Sequence, residues 1–153
     1  MTVERKFFKM SGWKRGLLAV GLIAFGCGTV LAENPHTPAA NSAERKAILD
    51  TLRGPFEKDL KQKVKFEVNF FKVQGDWAFV TGTPENAQSG KPIHAFPEVD
   101  PDFCGLLRKH GSGEWTVVDH SAGFGDPFYA SWVKKYHAPL AIFPDVVATM
   151  QGN

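Results

Sequence analysis

The sequence predicts an α+β domain: an N-terminal helix, an antiparallel sheet of about four strands in two hairpins, and a C-terminal helix packed on the sheet. Apolar side chains recur every four residues over 48–60, which is typical of a helix. From residue 64 the apolar spacing changes to two, which is typical of half-buried strands. Glycine-rich turns at 74–75 and 111–113 then divide the strands into pairs. We expect both helices to cover one face of this sheet.

An export signal is predicted over residues 1–32. Five Lys and Arg residues precede an uncharged apolar run over 17–31, and a small residue, Ala32, ends it. The run is shorter than the ~20 residues that a membrane-spanning helix needs. We therefore expect cleavage near Ala32 and release into the periplasm or medium. Retention as a membrane anchor and lipidation at Cys27 remain alternatives, and only an uncleaved signal would bring the protein to a membrane.

Removal of the signal would change both the charge and the cysteine content. The 153-residue chain has 18 basic and 16 acidic residues, of which the signal holds five and one. The remaining 13 basic and 15 acidic residues give a net charge of −2, so no cationic surface argues for nucleic acid. Cys104 would be the only cysteine left, which excludes an intramolecular disulfide.

The first half of the mature chain is predicted to be a linker, a helix and a hairpin. Residues 33–41 contain two prolines and are expected to be a disordered linker before a single domain, 42–153. Asn41 or Ser42 should begin the helix, since Glu44 completes an approximate capping box with Asn41. Gly54-Pro55 should kink or restart it. Strands follow over 64–82, with a possible bulge at Phe70-Phe71 where the alternation breaks.

The second half is predicted to be a long loop, a hairpin and a helix. Residues 83–102 contain four prolines and form the loop, with a short edge strand expected at 93–96. Strands are expected over 103–110 and 115–120. Asp126 and Pro127 are typical of a helix cap and a first helical residue. The apolar face of that helix is predicted to contain Phe128, Trp132, Val133 and Tyr136.

Two segments carry a resemblance to known proteins: residues 45–53 with the Gly-Asp-Trp-Ala turn at 75–78, and residues 106–109 with Gly-Glu-Trp-Thr-Val-Val at 113–118. Together they resemble a family of small exported bacterial proteins of unassigned function. The strand and turn pattern also resembles the sheet of cystatin-like and NTF2-like folds. The resemblance covers most of residues 44–137. It implies an α+β fold and transfers no active site.

The catalytic candidates are Cys104, Asp119 and His120. A thiolate nucleophile needs a nearby base, and the antiparallel return of the second hairpin is expected to bring His120 toward Cys104. His110 shares a face with Cys104, but six strand residues separate the two by roughly 20 Å. Alternatively, Cys104 is a buried, inert thiol. Asp119 and Asp126 are the carboxylates nearest the predicted helix entry, and nucleotide-binding and serine-hydrolase motifs are missing.

The long loop contains the residue types that bind metal ions. His94, Glu98, Asp100 and Asp102 lie there, with His110 and His120 further along the chain. Their spacing matches neither zinc nor EF-hand motifs. We therefore interpret the loop as solvated, and we expect no metal and no cofactor.

Aromatic residues are the candidate ligand contacts. We expect one cluster between the sheet and the C-terminal helix, either as plain core or as the lining of an apolar pocket. Its ligand-binding candidates are Trp77, Trp115, Phe124, Trp132 and Tyr136, with Phe128 beside them.

Three functional hypotheses follow. The first is a non-catalytic periplasmic module that binds a protein or a small molecule. The second is a small NTF2-like enzyme with its site in the sheet–helix pocket, using Asp119 or His120 as acid or base. The third is an envelope protein that forms a homodimer through the sheet face or through Cys104.

Overall fold

A four-stranded antiparallel sheet with strand order β1-β2-β3-β4 organises the structure, a computed structural model that describes residues 33–124 and 127–152. The helices are α1 (Ala43–Leu60), α2 (Trp132–Tyr136) and α3 (Asp145–Gln151), and the strands are β1 (Val64–Gln74), β2 (Trp77–Asn86), β3 (Phe103–Lys109) and β4 (Trp115–Ala122). The predicted α+β class with two hairpins is confirmed. No helix in these two ranges is long and apolar enough to cross a membrane. The predicted export signal and the predicted cap Asp126 lie outside the described residues.

Helix α1 begins at the predicted position but does not break where expected. The Ser42 side chain accepts a hydrogen bond from the Arg45 backbone N–H at 3.1 Å, and the helix then continues through Gly54-Pro55 to Leu60. The predicted restart of the helix there is wrong, and the predicted kink stays a prediction. The residue before a proline normally leaves the helical region because its Cβ meets the proline ring. Gly54 has no Cβ, so this clash is reduced.

The first hairpin contains a bulge one residue before the predicted site. Gly75 and Asp76 connect the strands, and the register shifts between Val68 and Phe70, which leaves Asn69 as the extra residue. A bulge bends its strand and re-aims the side chains that follow. It moves Phe71 and Val73, rather than Phe70, to the α1 face of the sheet.

The long loop is shorter than predicted because β2 continues to Asn86. The edge strand expected at 93–96 is wrong: a single bridge pairs Glu85 with Pro92, and the Ile93 N–H donates to the Pro84 carbonyl at 2.8 Å. Pro84 has no N–H to donate in return, so the pairing does not extend into a ladder.

Both faces of the sheet are covered, which corrects the expectation that one face is. Ala78 and Val80 of β2 pack in the same apolar cluster as Ile48, Leu52 and Phe56 of α1. Trp77 and Phe79, on the alternate face, pack with the C-terminal segment, which contributes Tyr129, Trp132, Ile142, Phe143 and Val147. A strand buried on both faces is a continuous apolar run, as residues 77–80 are.

The predicted C-terminal helix is interrupted and oriented differently from the expectation. A 3-10 turn at Phe128–Ser131 precedes α2, and His137 ends α2 with a left-handed φ of 55°. Residues three apart align in a 3-10 turn. Tyr129 and Trp132 therefore face the sheet, whereas Phe128, predicted to be on the apolar face, is 40% exposed.

The segment predicted to be a disordered linker is attached to the sheet. His36 exchanges two backbone hydrogen bonds with Val73 of β1, at 2.9 and 2.8 Å, and Pro38 is buried. The His36 Nε2 also lies 3.0 Å from a carboxylate oxygen of Glu44. Part of the segment 33–41 thus adds to the sheet instead of leading freely away from it.

Candidate functional site

Cys104 and His120 do not form a pair, because they lie on opposite faces of the sheet. Cys104 is fully buried against the C-terminal segment. Its pKa lies well above the usual range for a thiol, mainly because burial disfavours the thiolate. His120 points toward α1, where its Nε2 lies 2.8 Å from Asp59 Oδ2 and its ring packs against Phe56. The predicted thiolate–imidazole pair is therefore wrong, and Cys104 is a buried free thiol.

Asp119 is occupied by contacts of its own. Its Oδ2 accepts hydrogen bonds from the Tyr136 hydroxyl at 2.6 Å and from Lys135 Nζ at 3.3 Å. Neighbouring residues of a strand point to opposite faces of the sheet, so the side chains of Asp119 and His120 lie on different faces. Asp119 joins β4 to α2 and forms no acid–base pair with His120.

The histidines and acids weighed as metal ligands are not brought together. Within 33–124 and 127–152, no group of three His, Cys, Asp or Glu side chains is arranged to hold a metal ion. His94 Nδ1 lies 3.3 Å from the Val99 carbonyl, and His110 Nε2 lies 2.9 Å from Thr116 Oγ1.

The aromatic residues predicted to form one cluster divide between the two faces. Trp77, Trp132, Phe124 and Tyr136 pack on the C-terminal side, whereas Trp115 belongs to the α1 side. Trp132 is only 2% exposed. The ring of Phe79 lies between those of Phe143 and Tyr129, at centroid distances of 4.6 and 5.0 Å. These ring contacts and the burial of Trp132 favour the plain-core interpretation of this interface over the apolar pocket.

A small polar cleft does open at one end of this interface, beside the bulge of β1. We call it the bulge cleft. Its volume is about 180 Å³, and it is lined by Asn69, Thr81, Gly82, Asp102, Phe103, Phe124 and Tyr129. A wider hollow of about 390 Å³ lies on the outer side of α1, but its Lys46, Asp50 and Arg53 side chains pair with one another. The bulge cleft is therefore the stronger candidate site.

The backbone of β1 and β2 shapes this cleft. A Cβ atom at Gly82 would lie 1.9 Å from the Glu67 carbonyl oxygen, so only glycine permits the approach of the two strands at the bulge. On the opposite side, the Asp102 carbonyl accepts a hydrogen bond from the Gly123 N–H at 2.7 Å. That bond ties the end of the long loop to the end of β4, and it holds Asp102 at the rim.

The ionisable groups of the cleft are perturbed by burial. The pKa of Asp102 is raised, first by burial and then by the neighbouring charge of Asp100. The pKa of Tyr129 is raised by burial, with smaller contributions from Cys104 and Asp102. The lining contains no Lys, Arg or His, so nothing in it offsets the Asp102 carboxylate.

Sequence reasoning identified only part of this site. Phe124 was a ligand candidate and Asp102 was weighed as a metal ligand, but Asn69, Thr81 and Tyr129 were missed. Two signals pointed toward the cleft: the broken alternation at Phe70-Phe71 and a glycine, Gly82, next to an apolar strand run.

In comparisons with known proteins, no family model, curated protein or solved structure matches this chain.

Proposed function

We propose that this protein is an exported periplasmic binding module, non-catalytic, that contacts a protein or a small molecule through the bulge cleft. The observation that carries the proposal is the convergence of polar groups from β1, β2, the long loop and the C-terminal segment on one concave site. Ligand sites for whole small molecules measure about 300–1,000 Å³. A cleft of about 180 Å³ is sized for one functional group of a larger ligand.

The enzyme hypothesis has less support. A catalytic site needs a nucleophile or base with a partner within hydrogen-bond reach of a substrate. Cys104 is buried, and His120 and Asp119 are bonded on opposite faces to Asp59 and Tyr136. Inside the sheet–helix interface, packed rings occupy the space that a substrate would need.

The homodimer hypothesis also has less support in the forms considered. Helix α1 and the C-terminal segment pack on the two sheet faces, and the exposed part of β1 presents the polar residues Lys65, Glu67 and Asn69. Cys104 is 0% exposed, so its thiol cannot bridge two chains without local unfolding.

Affinity capture from a periplasmic extract tests the proposal. The full-length chain would be expressed with its own N-terminus, recovered from the periplasmic fraction and immobilised. We expect it to retain a partner that the Asp102→Asn/Tyr129→Phe double variant loses. Asp100→Asn is the matched control, because Asp100 is an exposed acid of the same loop outside the cleft lining. Equal capture by the double variant would exclude the cleft as the binding site, and recovery only from the cytoplasm would exclude export.

A further inference from the structure

We propose that the bulge cleft recognises a primary ammonium group, carried by a lysine side chain or the amino terminus of a peptide, or by a small free amine. This inference rests on the proposed function and names the chemistry of its ligand.

Charge is the first argument. Asp102 is the only charged side chain that lines the cleft, and it forms no salt bridge with any residue in the described ranges. The nearest acid along the chain, Asp100, adds negative charge rather than offsetting it. A partly buried carboxylate without a counter-charge favours a cationic ligand and disfavours an anionic one.

Tyr129 provides an independent argument. It is 8% exposed, and its hydroxyl forms no hydrogen bond with another residue of the described structure. Among the described residues, Gln74 Oε1 is the one fully buried side-chain atom without a partner, so the Tyr129 hydroxyl has some access to solvent. Tyr129 also lines the cleft. A hydroxyl that no other residue engages is available to accept a hydrogen bond from a ligand.

The set of polar atoms matches an ammonium group. An ammonium has three donors and no acceptor. The cleft lining contains the carboxylate of Asp102 and the hydroxyls of Thr81 and Tyr129, each able to accept a hydrogen bond, and the face of an aromatic ring also attracts a cation. Calcium would need six to eight oxygen ligands and zinc three or four close ligands. One carboxylate therefore suits an organic cation better than a metal ion.

The alkyl part of such a ligand also has a surface to contact. Phe103 and Phe124 line the cleft next to its polar atoms. A lysine side chain buries its methylene stem on apolar surface while its head group bonds to polar atoms. Phe103 and Phe124 could contact the methylene stem of such a ligand while Asp102 binds its head group.

Titrations followed by backbone amide NMR test the inference on the protein purified from the periplasm. The probes are Nα-acetyl-lysine N-methylamide, propylamine and, as the uncharged match, Nα,Nε-diacetyl-lysine N-methylamide. We expect the two amines to shift the amide signals of Asn69, Thr81 and Gly82, and the diacetyl probe to leave them unchanged. Tighter binding of the lysine probe would assign a peptide source, and tighter binding of propylamine would assign a free amine.

Variants identify the groups responsible. Loss of a charge-assisted hydrogen bond should weaken amine binding about tenfold in Asp102→Asn, and loss of a neutral one should weaken it about threefold in Tyr129→Phe. Asp100→Asn should stay within about twofold of the wild type, because screening weakens an exposed charge outside the cleft. Equal binding of the diacetyl probe, wild-type affinity in both cleft variants, or shifts confined to other surfaces would each overturn the inference. If Asp102→Asn does not fold, as judged by circular dichroism, Tyr129→Phe and the diacetyl probe decide the question.

The two proposals fail separately. If the amines do not bind but partner capture still depends on Asp102 and Tyr129, the ammonium inference is wrong and the binding module remains. If capture is independent of the cleft as well, both are wrong.

Discussion

Gly82 tests the structure of the bulge cleft most directly, because an added methyl group has no room there. In Gly82→Ala the new Cβ would lie 1.9 Å from the Glu67 carbonyl oxygen and 2.9 Å from Val68 Cα. Both obstacles are backbone atoms of β1, so no side-chain rotation relieves the clash. The two strands must move apart at the bulge, and the cleft must change with them.

The size of the effect follows from that displacement. Overpacking a close contact costs about 1–3 kcal/mol. Separating Val68 from Gly82 also weakens one or two backbone hydrogen bonds of the β1–β2 ladder, each worth about 1 kcal/mol. We therefore expect the free energy of unfolding to fall by about 3 kcal/mol, a large part of the 5–15 kcal/mol that is typical of a domain.

Urea unfolding followed by tryptophan fluorescence measures this change. With a slope of about 2 kcal/mol per molar urea, the midpoint of Gly82→Ala should fall by about 1.5 M. Gly111→Ala is the matched control, because nothing lies within 4 Å of its Cβ position and its φ is not positive. Because alanine lowers the conformational entropy of the unfolded chain, Gly111→Ala should raise the urea midpoint by about 0.25 M. If the two variants unfold at the same midpoint, the close approach of the strands at the bulge is refuted.

Three further predictions use the same protein. Asp102→Asn should raise the urea midpoint of unfolding at pH 7. The pKa of Asp102 in the folded protein is raised above 3.8, so the free energy of unfolding of the wild type falls as pH rises from 3.8 to the raised pKa. The Asn variant does not ionise and avoids this loss. This advantage should disappear below pH 3.8, and an unchanged advantage there would contradict the assignment. Cys104 should resist a thiol reagent in native buffer at pH 8 and react once urea unfolds the chain, because burial raises the pKa of its thiol. Rapid labelling of the folded protein would contradict the place of Cys104 in the core. Gly105→Ala should lower the free energy of unfolding by about 1–3 kcal/mol, because its Cβ would lie 2.5 Å from the buried Leu52 Cδ1. If the variant is as stable as the wild type, α1 packs less closely on β3 than the structure has it.

The strand pairs could be predicted because they depend on local signals. Alternating apolar residues and two short turns determine both hairpins, and the structure has them within a few residues of the expected limits. The covering of both sheet faces was missed although the sequence contains a signal for it. The run at 77–80 has no polar residue to mark a solvent face, and such a run is typical of a strand buried on both sides.

The bulge cleft was harder to predict because its parts are distant in sequence and depend on register. A one-residue shift in a strand exchanges the two faces, so the location of the bulge at Asn69 decides which side chains meet. Tyr129 faces the sheet because the segment begins as a 3-10 turn instead of an α-helix. Neither the register nor the type of turn is determined by apolar spacing alone.

The cleft also gathers features that lower stability. The strand bulge lies beside the partly buried carboxylate of Asp102, which no cation in the cleft lining offsets. Proteins commonly break the rules of local stability where function requires it. The Asp102→Asn/Tyr129→Phe variant should therefore unfold at a higher urea concentration at pH 7 than the wild type while losing its ligand. A double variant that loses stability together with binding would show instead that these two side chains support the fold.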